Sequence, residues 1–566
     1  MKILLLHCDY IRFKPLKKAL KSAEELSEKE KKEQEVKEAL VVLTAVEKGD
    51  SKNTIQEYVN NIKDVASQVK AKNIVLYPYA HLSRNLSAPD LAVELMKEAE
   101  KILSKEFSVV RAPFGYYKEF ELKVKGHPLS ELSREISSEI KGKETDEKYD
   151  PKQLLREISR AKLDTSKLKE NDHRILGQQM DLFSFHDVAP GMVFWHNNGL
   201  IIRDELINFS KEVLRKNGYE IISTPEIMDK KIWQVSGHWD KYKENNFSTE
   251  YEKRQFLIKP MNCPGGMLIY NSSPKSYKDL PLRAGEFGMV HRQELSGVLA
   301  GLFRVIQFTQ DDAHVFCTEK QLDDEVNKLI DLIDFFYSKF NLTYRVELST
   351  RPEKRIGEDK IWDKAEKALE GVLKKRKMKF QLSKGAGAFY GPKIDFHVKD
   401  SLNREWQLGT IQLDFSMPER FELEYTDSDN KRKRPIMIHR AIYGSLERFI
   451  GILIEHYNGR FPVWLAPIEV RVLSFTDRSQ EYAKEIIKEL GKEIPNLRLD
   501  ADLRQTTVGA KVKDAEIMRV PYIILVGDKE EKSKTIAVRS KGSNKIEEFK
   551  IKEFISKLGK EISERR

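Results

Sequence analysis

Cysteine is scarce in this chain of 566 residues: only Cys8, Cys263 and Cys317 occur. Three thiols so widely spaced exclude a disulfide framework and make a reducing, cytoplasmic setting the expected one. Long apolar runs are missing as well, and nothing approaches the ~20 residues that cross a bilayer, so no membrane partner is expected. The opening Met1-Lys2-Ile3-Leu4-Leu5-Leu6 is interrupted at once by His7 and Asp9 and reads as a buried strand, not a secretory signal. Walker-type phosphate loops and Gly-x-Gly-x-x-Gly fingerprints are absent, so any nucleotide must be held by side chains. There is no internal repeat and no low-complexity tract. Charge, by contrast, is plentiful. Charged residues make up 33% of the chain, and the net charge of +10 favours a polyanionic partner. Lys- and Glu-rich surfaces of thermophilic proteins are the other reading of that composition.

Length and pattern divide the chain into three or four modules. Residues 1–143 alternate strand-like runs (Ile3–Leu6, Leu40–Val46, Ile74–Tyr79) with charged stretches. A solvated helix or flexible arm is expected over Lys17–Lys37. Residues 144–172 are charged and poor in apolar anchors, and predict a helical linker. Residues 173–464 are dense in Gly, Pro and aromatics. In residues 465–566, Ile468–Val472 and Pro521–Val526 read as strands, Ser479–Leu490 as a helix, and the end as an amphipathic helix: a small α/β domain.

The chemistry-bearing residues gather in the middle region. Arg292 and Glu294 end one strand-like run, a small-residue loop covers Ser296–Gly301, and Arg304 through Phe308 return as a second strand. Arginine forks bind phosphates bidentately, and Phe308 offers a base a stacking face. Ordinary Arg–Glu pairs on a hairpin are the alternative. Farther on, Arg448 lies in the first turns of a helix running from Gly444 to Tyr457 and stopped by Gly459. A cation there opposes the helix dipole, which a polyanionic ligand would explain.

In order, Arg292-x-Glu294, Arg304-x-x-x-Phe308 and Gly444-x-x-x-Arg448 resemble motifs 2 and 3 of the class II aminoacyl-tRNA synthetases. The helix Asp204–Lys216, leading through Gly218-Tyr219 to Pro225, resembles motif 1, which in that class packs at a homodimer interface. Three further segments narrow the resemblance to the archaeal-type threonyl-tRNA synthetase family. They are Lys259–Gly265, Phe308–His314 and Met437–Arg440, and they match the stretches that carry this family's zinc ligands.

The resemblance implies an α/β multidomain protein. An N-terminal editing domain with a D-aminoacyl-tRNA deacylase-like fold would be followed by an antiparallel-sheet catalytic core and an α/β anticodon-binding domain. Cys263, His314 and His439 would hold one Zn2+ per subunit, leaving a fourth position open for substrate. Read without the family, Cys263 is a small buried hydrophobe. ATP, with its Mg2+, would meet Arg292, Glu294, Arg304, Phe308 and Arg448, the two arginines 292 and 448 acting catalytically. Met261, Gln310, Asp312, Tyr390 and Gln412 would surround L-threonine and its adenylate, and His238 would assist transfer to tRNA(Thr).

Rejecting valine needs more than an apolar pocket, which separates such isosteres by only ~10²-fold; a metal that binds the hydroxyl supplies the difference. Serine lacks only a methyl, worth roughly 1–3 kcal/mol, so hydrolytic editing is expected. Tyr79–Leu82, Pro113–Lys118 and His127–Glu131 resemble the archaeal editing domain, and imply His81, Tyr117, Lys118 and Glu131 as its site. Gln505, Glu530 and Arg539 fall where family members read the anticodon. Ala300 and Gly266 depart from the bacterial pattern, which often has His at both. The rival readings are a synthetase-derived RNA-binding regulator without aminoacylation activity and another class II enzyme, such as the prolyl one. The zinc triad argues against the second.

Overall fold

The computed structural model describes residues 1–566 except 21–22, 29, 84, 137–151, 153–154, 156–167, 242–245, 401–402, 544 and 566. Most of the expected linker, 144–172, lies outside the described residues. The chain forms two compact units, Met1–Tyr149 and Asp150–Arg566.

The first unit is a six-stranded sheet with helices. Its strands are β1 (Lys2–Lys18), β2 (Gln34–Ala45), β3 (Asn73–Pro78), β4 (Ser108–Arg111), β5 (Tyr116–Val124) and β6 (Glu131–Glu135). They run in the order β4-β3-β2-β1-β5, with β6 on the same edge of β1 as β5. β1 is far longer than its apolar opening suggests. It pairs with β2 out to Phe13↔Gln34 and with β5 out to Lys18↔Tyr116. The expected helix or arm over Lys17–Lys37 is therefore strand at both ends. Cross-strand partners, Arg12 with Glu35 at 2.8 Å among them, let polar residues extend the ladder there. Ile3, Leu5, Leu40 and Val42 face α1 (Lys52–Val69) and α2 (Pro89–Leu103). Cys8, Ile11, Phe13 and Tyr77 build a second core on the other face.

The second unit is built on an eight-stranded sheet. α3 (Asn197–Lys216) leads into β7 (Glu220–Ile221), and β8 (Leu282–His291) and β9 (Gln307–Cys317) form a long hairpin. After α4 (Leu322–Lys339) come β10 (Tyr344–Ser349), β11 (Phe380–Ser383), β12 (Lys393–Lys399), β13 (Glu405–Asp414) and β14 (Ile436–Ser445), followed by α5 (Leu446–His456). The order is β11-β10-β12-β13-β14-β9-β8-β7, antiparallel except at the two margins, β7 with β8 and β10 with β11. α4 and α5 supply Leu329, Ile333, Phe336, Phe449 and Leu453 to the buried core against it.

The last hundred residues form a five-stranded sheet. β15 (Val470–Ser474) pairs in parallel with β16 (Leu499–Asp502) and β17 (Tyr522–Val526), while β18 (Thr535–Ser540) and β19 (Ile546–Lys550) add antiparallel. α6 (Gln480–Glu493), α7 (Val508–Ile517) and α8 (Ile551–Ser563) cover it, with Ile486, Leu490, Phe554 and Leu558 inward.

Candidate functional site

Three neighbouring strands do most of the gathering. Register places His314 of β9 opposite His439 of β14, and Gln412 of β13 opposite His439 on its other side. Sequence distance hides this, but pairing across β14 puts residues 314, 412 and 439 in one row. Cys263 joins from the helix Cys263–Tyr270, and its Sγ with one ring nitrogen of each histidine lies within a 4.8 Å spread.

A tetrahedral zinc needs ligand atoms roughly 3.5 Å apart, given bonds of 2.0–2.3 Å. The triad is therefore nearly closed around such an ion. Both ring nitrogens of His314 are buried without a hydrogen-bond partner among the described residues, which a metal would satisfy. Burial holds the Cys263 thiol well above its ordinary pKa and His314 well below its own, so a cation must displace the thiol proton. His439 Nε2 pairs with Asp414 Oδ2 at 2.9 Å, a partner that orients the ring and that the sequence did not disclose. Gly266 leaves room beside this cluster; a Cβ there would stand 3.3 Å from His314 Nδ1.

Cys263 and His439 of the triad line one end of a cavity of about 450 Å³, while His314 is buried and does not line it. Met261, Cys263, Gln310, Asp312, Tyr390, Gln412 and His439 line this end. Burial, with Glu286 and Asp311 nearby, raises Asp312 to about 6 against the opposing pull of His439 and Arg440. Gln412 Nε2 donates to the Gly391 carbonyl at 3.4 Å.

The other end is cationic, lined by Arg292, Arg304 and Arg448 with Glu294 and Phe308. Arg292 lies over the Phe308 ring at 5.2 Å and donates from Nε to the Pro260 carbonyl at 3.1 Å. Arg304 and Glu294 pair across the hairpin at 2.8 Å, so the expected phosphate and amine contacts require them to exchange partners on binding. Arg448 donates from Nε to the Phe303 carbonyl at 2.9 Å. Burial and the positive neighbours Arg304 and Arg292 lower its pKa, the signature of a place suited to an anion. Gly444, next to last in β14, takes φ +70°, and a Cβ there would meet the Leu408 carbonyl at 2.8 Å. Only glycine makes that turn, after which the Ser445 side chain caps α5. The helix thus begins two residues later than the sequence suggests.

His238 does not line this cavity. The turn at Gly237, φ +79°, folds its ring inward, where it is wholly buried against Phe389 and Tyr390, with centroids at 5.7 and 6.3 Å. Burial drives its pKa down to about 3. A ring so placed packs beside Tyr390, and the nearby positive groups His439 and Arg292 depress it further.

In the first unit, a largely apolar cavity of about 540 Å³ is lined by Tyr77, Tyr79, His81, Tyr117, Lys118 and Phe120 among others. Lys118 Nζ donates to the Pro113 and Tyr116 carbonyls at 2.8 and 3.2 Å and lies 5.0 Å from the Tyr77 ring centroid. Burial lowers it to about 8. Glu131 is elsewhere: it is exposed on β6, paired in register with Leu6, and does not line this cavity. The β6 edge position turns it toward solvent.

In the C-terminal sheet, Gln505 donates to Asp477 at 2.9 Å and Glu530 accepts from the Gly527 amide at 2.9 Å, both beyond the carboxyl ends of parallel strands. Arg539 is separate from them. It pairs in register with Ile523 near the start of β17, bonds Ser543 and Glu516, and faces a cavity with Arg460, Arg519 and Lys541. Antiparallel return of β18 carries it to the opposite end of the sheet, so the three do not form one cluster.

A mostly antiparallel sheet whose central strands carry an arginine-rich cavity, with no phosphate loop, is the core of a class II aminoacyl-tRNA synthetase. Residues 246–457 match the model of the tRNA synthetase class II core domain (G, H, P, S and T). Residues 1–136 match the archaea-specific editing domain of threonyl-tRNA synthetase, and residues 469–561 an anticodon binding domain. The chain belongs to the threonyl-tRNA synthetase family. It is 50% identical over 396 residues to a threonine–tRNA ligase of Natranaerobius thermophilus, and 50% over 395 to that of Caldanaerobacter subterraneus. These matches cover 70% of this chain and span 62% and 61% of the relatives' lengths. A solved structure described as the RNA binding domain of threonyl-tRNA synthetase from Cryptosporidium parvum is 38% identical, with TM-score 0.66. That match covers 69% of this chain and 98% of the other.

Proposed function

We propose that this chain attaches L-threonine to tRNA(Thr) through a threonyl-adenylate and removes misattached serine in its first unit. The observation that carries this is one cavity with a Cys–His–His cluster at one end and three arginines at the other. That is the polarity a hydroxy amino acid and a polyphosphate require together.

The threonine carboxylate attacks the α-phosphorus of ATP, which enters with Mg2+, and pyrophosphate leaves. Arg292 and Arg448 balance charge growing on the phosphoryl oxygens, while Phe308 takes the adenine face. The terminal ribose hydroxyl of tRNA then attacks the adenylate carbonyl and AMP departs. Zinc held by Cys263, His314 and His439 would offer an open Lewis-acidic position to the amino and hydroxyl groups, which valine cannot fill. Asp312, Gln310 and Gln412 orient the amino acid, and Tyr390 closes its side. A homodimer in the cytoplasm fits the class.

Serine passes this filter, since it keeps the hydroxyl. In the first unit Lys118 spends two of its three N–H bonds on carbonyls, leaving one to polarise a seryl ester while water attacks. Tyr117 and His81 shape the pocket around that ester. Gln505 and Glu530 suit base contacts, and Arg539 a phosphate.

Amino-acid-dependent ATP–pyrophosphate exchange tests the reading. Threonine should support exchange strongly, serine weakly and valine not at all, with loss on zinc chelation. No exchange from folded, zinc-loaded protein would sink the enzyme and leave an RNA-binding regulator.

A further inference from the structure

We propose that His173 is a positioning residue for ATP, holding the motif 2 loop in the shape that aims Arg448. The inference rests on the aminoacylation reading above.

His173 opens a short helix capped by Asp172 and is wholly buried. Its two nitrogens have different partners. The Leu302 amide donates to Nε2 at 3.0 Å, so Nε2 is the acceptor and the ring hydrogen sits on Nδ1. Nδ1 in turn lies 2.8 Å from Glu455 Oε1, a buried carboxylate on the last turn of α5. One neutral tautomer therefore links the end of the motif 2 loop to the helix that carries Arg448.

The link continues into the cavity. Phe303, the next residue after Leu302, gives its carbonyl to Arg448 Nε at 2.9 Å. Its ring stacks on Trp406 with centroids 4.7 Å apart, and Trp406 lies 5.5 Å beneath the Arg448 guanidinium. Arg404 closes the circuit, bonding Glu455 Oε2 at 2.9 Å and Asp400 at 2.5 Å while lying over Phe303 at 4.9 Å. Moving Leu302 off His173 would shift the carbonyl that steers Arg448.

Gly301 shows how tightly the loop is seated. It takes φ +54°, and a Cβ there would come within 2.3 Å of His173 Nε2. Asp172, His173 and Glu455 could in geometry hold a metal ion. Their lone pairs are already committed, however: Arg174 forks onto Asp172, Arg404 pairs with Glu455, and Leu302 occupies Nε2. The chemistry here is that of a hinge pin, not a ligand set.

The test compares wild type with His173→Asn, His173→Gln and Gly301→Ala in threonine-dependent pyrophosphate exchange. H173N keeps a donor toward Glu455 and removes the acceptor for Leu302, whereas H173Q places its amide oxygen where Nε2 was. H173N and G301A should each lose about 10²-fold in kcat/KM for ATP, the scale of a small misplacement of a catalytic group. The KM for threonine should stay put, and H173Q should recover most of the activity. Equal losses toward ATP and threonine, or no loss in either H173N or G301A, overturn the inference. Should H173N fail to fold, G301A leaves the His173–Glu455 bond partners intact and decides alone. A wild type inactive in exchange condemns the aminoacylation reading instead.

Discussion

His439 Nε2 and Asp414 Oδ2 lie 2.9 Å apart on neighbouring central strands, Asp414 standing two positions beyond Gln412, the register partner of His439. The other Asp414 oxygen accepts from the amides of Ser416 and Met417, so the carboxylate is fixed from both sides. A hydrogen on Nε2 leaves Nδ1 as the nitrogen with a free lone pair, which sets how the ring meets a metal. Asp414→Asn should lower zinc affinity by about 10–100-fold while leaving the fold intact. Competition with a chromogenic chelator reads this directly; unchanged affinity would detach Asp414 from the site.

Asp414 also marks where the sequence stops being legible. Cys263, His314 and His439 were readable only through the family's motifs, because the three stand far apart and acquire a common site by strand pairing. The β8–β9 hairpin was visible from Arg292 through Phe308, since two β-rich runs flank a small-residue loop. The long polar half of β1 was not, because its partners on β2 and β5 lie elsewhere in the chain. For His238 the motif shows which residue is present, but not that Gly237 turns its ring inward. The His173–Leu302 bond had no local signal at all, being an interaction across 129 positions.

The lowered pKa of Lys118, about 8, gives the editing reaction a pH signature. If the cation polarises the ester, its contribution is complete below about 8 and disappears above. The ratio of seryl-tRNA deacylation by wild type to that by Lys118→Met should therefore fall as pH rises through 8. The stability effect has the opposite sense. Because the folded pKa lies below the ordinary lysine value of about 10.4, folding gains stability as pH climbs between the two. Lys118→Met should erase that slope and should not lower the melting temperature of the first unit. A ratio flat across pH 8 would leave Lys118 a merely structural residue.

Arg448 combines an anchored Nε with a guanidinium left facing the cavity. Lysine cannot do both, because its single ammonium must choose between the Phe303 carbonyl and a phosphate. Arg448→Lys should reduce the exchange rate by about 10²–10³-fold, the usual cost of removing one charge-stabilising donor. Threonine affinity, which on the proposed reading is set at the Cys–His–His end, should change little. A loss confined to threonine KM would place Arg448 in the wrong half of the cavity.

Asp311 is the support beneath both halves. One oxygen accepts from Arg440 Nη1 at 2.6 Å, and the other from the amides of Ile442 and Tyr443 at 3.0 and 2.9 Å, where β14 shifts register against β9. Arg440 is buried out of reach of bulk solvent. Asp311→Ala leaves that guanidinium uncompensated and should cost about 3–5 kcal/mol of stability. Replacing both partners by apolar residues, Asp311→Leu with Arg440→Met, should recover part of the loss, because the buried charge goes with its partner. All six tryptophans fall within the second unit, so indole fluorescence during urea unfolding reports this change without interference from the first. A midpoint unchanged in Asp311→Ala would mean that the register shift, with the Gln310 and Asp312 positions it sets, is held by something other than this pair.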